Sequence, residues 1–160
     1  MYYEGMSTLL SLFRRKGKRF SGPVVDLVEE RQDEADSSNN FVPSFFYGIY
    51  LHDKDQRVGY CDLRVGKNDE LYYAGNIGYH INKAFRGRHY ACEACRVLFG
   101  IAREKGMKDL IITCSPDNCA SRKTCERLGG EFLETVDVPK THWLYLRGEP
   151  VKRIYHYDLS

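Results

Sequence analysis

The sequence predicts a mixed α/β sheet built as one domain, 1–160, on three observations. Its 160 residues are close to the size of one average domain and long enough to bury a sizeable core. From Phe45 to Ile81, aromatic and β-branched segments alternate with polar turns, as in an antiparallel meander. Beyond Tyr90, strand-like and helix-like runs follow one another up to Leu159.

The elements follow in order. Leu9, Leu10, Leu12 and Phe13 predict a short helix, and Leu27 and Val28 a second one ending near Ala35. Asp36 to Asn40 is a loop by composition. Phe45 to Leu51 and Val58 to Val65 predict the strands of a hairpin around the polar turn His52 to Gln56. Gly66 to Glu70 reads as another turn, and Leu71 to Ile81 contains a third strand centred on Ile77 to Ile81. Ala91, Ala94, Cys95, Leu98, Ile101 and Ala102 fall on one face of a helix that Lys105 and Gly106 close. Leu110 to Thr113 is a short strand of the fully buried kind. Asp117 or Asn118 caps a helix to about Leu128, where Gly129-Gly130 ends it. Glu131 to Val138 and Ile154 to Leu159 are closing strands.

Composition excludes several classes. Apolar residues make up 42% and charged ones 29%, which argues against wholesale disorder. A net charge of +2 is too small for a general nucleic-acid coat protein. No segment approaches the roughly 18 apolar residues that span a membrane. Met1-Tyr2-Tyr3-Glu4 has neither a basic start nor a long apolar stretch, so a cytoplasmic location with six reduced thiols is expected. Cys92-x-x-Cys95 lacks a second ligand pair, and no metal site is expected. Basic residues Arg14, Arg15, Lys16, Lys18 and Arg19 precede an acidic group, Asp26, Glu29, Glu30, Asp33, Glu34 and Asp36. These clusters are either solvated faces or a partner or substrate rim.

The stretch Gly78 to Ala91 carries the most chemistry. A strand, Gly78-Tyr79-His80-Ile81, runs through a turn into Arg86-Gly87-Arg88-His89-Tyr90-Ala91 and the long helix. A helix N-terminus presents free backbone N–H groups and partial positive charge, and arginines add bidentate donors for phosphate oxygens. The alternatives are an anion site, most simply for a pyrophosphate, and an ordinary basic turn. A P-loop is excluded because Gly-Lys-Ser/Thr is missing, and a dinucleotide fingerprint because the turn keeps one glycine.

Arg86-x-x-His89-x-Ala91 resembles motif A of the GNAT acetyltransferase superfamily, Gln/Arg-x-x-Gly-x-Gly/Ala. Asn118-Cys119-Ala120-Ser121 followed by Leu128-Gly129 resembles the family's motif B. The likeness runs from about Phe45 to Phe132 and implies a bacterial-type, single-domain acetyltransferase. Its fold would be a mixed, mostly antiparallel sheet flanked by helices, with one splayed pair of strands. It implies direct transfer of acetyl from acetyl-coenzyme A to a primary amine of a small molecule, amino acid or protein N-terminus. The alternative is a non-catalytic acyl-coenzyme A sensing module. A nucleic-acid partner is not expected, nor a membrane one, and the protein would be a monomer or homodimer.

The resemblance also implies roles. Backbone N–H groups of Arg88, His89, Tyr90 and Ala91 would cradle the pyrophosphate, with Arg86 and Gly87 shaping the turn. Tyr79 and Ile81 would hydrogen-bond the pantetheine arm like an added strand. Asn118 and Ser121 would contact the arm or the adenosine end. Two positions depart from the pattern: His89 stands where glycine is usual, and Cys125 where many members have a tyrosine acid. Cys125 is either that acid or helix packing. The candidate bases are Glu70 and His80. For the acceptor rim the sequence offers Glu29, Glu30, Asp33 and Glu34 with Tyr47, Tyr72, Tyr73 and Trp143, or Arg64 for an acidic acceptor.

Overall fold

The computed structural model describes residues 17–160. The helix expected at Leu9, Leu10, Leu12 and Phe13, with Arg14, Arg15 and Lys16, lies outside the described residues. The chain runs β1 (Arg19–Ser21), β2 (Val25–Asp33), β3 (Ser44–Leu51), β4 (Arg57–Arg64), α1 (Asp69–Ala74), β5 (Ile77–Ile81) and α2 (Tyr90–Glu104). It continues with β6 (Asp109–Cys114), α3 (Cys119–Arg127), β7 (Glu131–Asp137), α4 (Trp143–Leu146) and β8 (Val151–Asp158).

Two antiparallel sheets result: β1 to β5 in sequence order, and a second in the order β6-β8-β7. The hairpin of β3 and β4, the strand β5 and both long helices stand where the residue pattern puts them. Helix α2 buries Cys92, Ala94, Cys95, Leu98, Ile101 and Ala102. These pack with Val25, Leu27, Ile49, Val58 and Leu63 of the first sheet and Leu110 and Ile112 of the second in one core.

Three local expectations are corrected. Residues 25–33 form a strand, not a helix. Val25 and Leu27 sit two apart on the core, and hydrogen bonding to β1 and β3 overrides the helical preference of the Glu29-Glu30-Arg31 tail. The supposed turn before Leu71 holds the start of α1, because the Asn68 side chain accepts from the Leu71 N–H at 2.8 Å and caps a helix. Short helix α4 fills a stretch for which the residue pattern predicts no element.

Buried Asp26 fixes the first hairpins. Its oxygens take Arg19 Nε at 2.8 Å, His52 Nδ1 at 2.9 Å and the N–H groups of Gly22 and Asp53 at 3.1 Å. Burial opposes its charge, yet these hydrogen bonds hold its carboxyl well below the usual range. Asp26, His52 and Asp53 bring ligand-type atoms within 4.8 Å of one another, but protein donors already occupy both Asp26 oxygens. Among the described residues, no helix is long and apolar enough to cross a membrane.

The two sheets meet at one buried side chain. Asn76 exchanges main-chain bonds with Arg64 (2.7 Å) and Ile111 (2.8 Å). Its amide donates to Arg64 O (2.9 Å) and Gly66 O (3.0 Å), and its Oδ1 accepts from the Ile111 N–H (3.0 Å). Beyond Asn76, β5 pairs only with β4 and β6 only with β8, so the pair splays.

Candidate active site

The splay opens a groove of about 980 Å³. One end is bounded by β5, the turn after it, the first turn of α2, and α3 from Ala120 to Arg127. The other is bounded by Ala74 of α1, Thr113 to Ser115, and Trp143 to Lys152.

At the first end the main chain supplies the polar groups. Strand β5 bonds to β4 along one edge and leaves its other edge unpaired toward the groove. The chain then turns through a single 3-10 turn, Lys83–Phe85. Arg86 Nε bonds back to Ile81 O at 2.9 Å, which fixes the turn. Gly87 follows at φ 81° and His89 at φ 61°, so two of three successive residues are left-handed. Left-handed residues alternating with others are the backbone pattern from which anion-binding nests are made. His89 heads α2 without a side-chain cap, so the first N–H groups of the helix keep their donors. A histidine at positive φ carries a strain that a glycine would not.

Most of the expected binding residues meet here. Tyr79, Ile81, Arg86, Gly87, His89, Tyr90, Ala91, Asn118 and Ser121 all line the groove, while Arg88 does not. The Asn118 side chain is already engaged, accepting from the Ser121 N–H at 3.1 Å as the cap of α3. Tyr79 Oη and Ser121 Oγ, 2.7 Å apart, join β5 to α3. Burial pushes the Tyr79 phenol up, which keeps it neutral.

The three expected acid–base residues separate. His80 lines the groove, but its ring is exposed and stacked on Tyr60 with centroids 5.1 Å apart. Glu70 lies outside the lining, where the Trp143 indole N–H donates to its Oε1 and His142 Nε2 lies 3.2 Å from its Oε2. Cys125 is fully buried on the inner face of α3 and does not line the groove. The adjoining Cys114 thiol and burial push its thiol far up, and its main-chain oxygen is taken by Tyr157 Oη at 2.8 Å. An acid must reach the leaving sulfur, and Cys125 packs away from the groove.

What the residue pattern leaves out lies at the other end. Among the lining residues Glu149 is the only carboxylate. It takes Lys152 Nζ at 2.8 Å and lies 3.5 Å from Ser115 Oγ and 3.8 Å from Arg147 Nε. Lys152 is buried, an uncommon state for a lysine that the ion pair makes tolerable. No local spacing marks Glu149, because the fold alone brings it to Ser115. Trp143 and Arg64, expected at the acceptor rim, do line the groove. Tyr47 is instead a core residue, 1% exposed, and Tyr72 pairs with Glu134.

A family model described as an acetyltransferase (GNAT) domain matches residues 15–131. The chain belongs to this family. No curated protein matches it. Among solved structures, it is similar to the microcin C7 self-immunity acetyltransferase MccE in complex with acetyl-CoA and AMP. The identity is 21%, over 72% of this chain and 61% of that one, with a TM-score of 0.57. An acetyltransferase from Agrobacterium tumefaciens is 23% identical over 71% of this chain and 60% of that one, TM-score 0.53. RimL, the ribosomal L7/L12 α-N-protein acetyltransferase in complex with coenzyme A, is 12% identical over 88% of this chain and 98% of that one, TM-score 0.64. The chain thus spans about three fifths of the first two and nearly all of the third. At these identities the likeness is one of fold.

Proposed function

We propose that this GNAT domain moves an acetyl group from acetyl-coenzyme A to a primary amine by direct attack on the thioester. The observation that carries the reading is the unpaired edge of β5 running straight into the uncapped N-terminus of α2. A pantetheine arm is a chain of amides that can pair with such an edge, and a pyrophosphate matches the free N–H groups after it. Similar folds are known with acetyl-CoA or coenzyme A bound, in MccE and RimL, which supports the same ligand here.

In this reading Tyr79 and Ile81 hold the arm, and Arg86, Gly87, Arg88, His89, Tyr90 and Ala91 form the pyrophosphate turn. Ser121 closes the groove over the arm through Tyr79, and Asn118 acts by capping α3. Glu149 takes the proton of the incoming ammonium, directly or through water. The neutral nitrogen then forms a bond to the carbonyl carbon while an N–H of β5 stabilises the oxyanion. The C–S bond breaks, and the second proton of the nitrogen leaves with the coenzyme sulfur.

A melting curve with acetyl-CoA tests binding. Ligand at 100 times its Kd stabilises by about 2.7 kcal/mol, which raises Tm by roughly 5–10 °C at this size. No shift at millimolar acetyl-CoA overturns the reading. Thiol release across a panel of small amines, amino acids and peptides then tests turnover. Binding without turnover on a broad panel marks an acyl-coenzyme A sensor.

A further inference from the structure

We propose that the Trp143 indole forms the wall of the groove against which the acceptor amine docks, and that Glu70 is the positioning residue that holds it there. The proposal rests on the acetyl-coenzyme A reading above and names the surface its acceptor would touch.

Trp143 lines the groove, as Glu149 does, and is 39% exposed, with the Arg147 guanidinium 5.9 Å from its ring centroid. Its N–H is not free, since it donates to Glu70 Oε1. The other Glu70 oxygen faces His142 Nε2 at 3.2 Å. The Leu144 N–H donates to His142 Nδ1 at 3.1 Å, which leaves the ring proton on Nε2, pointing at Glu70. His142 is buried and stacks on Trp143 with ring centroids 5.6 Å apart. Glu70 therefore holds both rings that open α4, His142 through its main-chain oxygen at 3.2 Å and Trp143 through its carboxylate.

Glu70 can do this because α1 is itself anchored to both sides of the splay. Arg64 of β4 donates to the last carbonyls, Ala74 O at 3.2 Å and Gly75 O at 3.0 Å. Thr113 of β6 donates to Tyr73 O at 2.7 Å. The chain is thus continuous from the two splayed strands through Glu70 to the indole. The exposed Arg147 side chain, with its guanidinium 5.9 Å from the Trp143 centroid and 3.8 Å from Glu149, marks the place of a cation there, and an ammonium with a carbon skeleton that displaces it meets the same ring and carboxylate.

Trp143 is the only tryptophan in the chain, so emission excited at the red edge of the absorption band, where the 12 tyrosines do not absorb, reports this ring alone. Acrylamide quenching and emission are measured for the wild type, Glu70→Ala and Glu70→Gln, each alone and with coenzyme A. The same proteins are then titrated, coenzyme A-saturated, with alkyl, aromatic and peptide amines. Melting with acetyl-CoA serves as the reading of ligand binding that does not depend on the indole. Glu70→Ala is expected to raise the quenching constant about twofold and shift emission to the red. Glu70→Gln keeps an oxygen for the indole N–H and should stay near the wild type. At least one amine should change the wild-type emission saturably, with a midpoint about tenfold higher in Glu70→Ala, while the acetyl-CoA melting shift is retained. Equal quenching in all three proteins overturns the role of Glu70. A clear melting shift with no amine response overturns the role of Trp143. Loss of the melting shift in the wild type itself instead overturns the coenzyme reading.

Discussion

The two ends of the groove are built from different material. The β5–α2 end is made of main chain: an unpaired strand edge, left-handed Gly87 and His89, and the free N–H groups of a helix. The Glu149 end is made of side chains, each aimed by another: Lys152 on Glu149, Glu70 on Trp143, Arg64 on the end of α1. A main-chain site tolerates most substitutions that preserve the turn. A side-chain site depends on single atoms.

The largest effect should come from the residue that joins both ends. Asn76→Ala strips the buried Ile111 N–H and the carbonyls of Arg64 and Gly66 of their partner. At about 1 kcal/mol or more for each orphaned group, the loss is about 3 kcal/mol, or roughly 6–12 °C in Tm, read by calorimetry. Glu149→Gln should come next. Turnover should fall about 10²-fold, near 2.7 kcal/mol, with the acetyl-CoA melting shift unchanged. A loss of both would place Glu149 at the coenzyme end and erase the contrast.

His89→Gly sharpens the main-chain side. It releases about 1 kcal/mol of left-handed strain, so Tm should rise by about 2–4 °C with the affinity for acetyl-CoA kept or improved. Weaker binding would show that the imidazole itself contacts the ligand. The smallest effect concerns pH and lies outside the groove. The Asp26 hydrogen bond raises the His52 pKa, so its contribution is full below about 6.5 and lost as pH rises through the folded value. Asp26 is lowered, so its contribution is full above about 3.9 and lost as pH falls through the folded value. Between pH 6 and 8.5 the wild type should lose slightly more stability than His52→Gln in urea titrations. Equal slopes would show that the pair carries no linkage.

The same contrast explains what the residue pattern could reveal. A strand, a turn with a lone glycine and a periodic helix are local features, and Gly78 to Ala91 displays all of them in one stretch. The strand at Val25 to Asp33 is less legible, because its Glu-rich tail prefers helix until neighbouring strands pair with it. Cys125 falls at a family position, yet its direction depends on how α3 rolls against Tyr157 and Cys114, and that roll turns the thiol inward. Glu149 and Trp143 belong to a connection with no periodicity. Their partners, Ser115 and Glu70, lie 34 and 73 residues away, distances over which no local rule reaches.

Asn76 has one more consequence, for motion. Each sheet completes its own hydrogen-bond ladder, so no strand pairing crosses the groove beyond that residue. The closed end is held by Asn76 and by α1, which Arg64 and Thr113 tie to both sides, so the gap can widen only at its far end, with Tyr79 releasing Ser121 as the outer catch. A long ligand can then enter from the side without unzipping either ladder. Amide exchange in β4 and β8 would stay slow while the groove breathes.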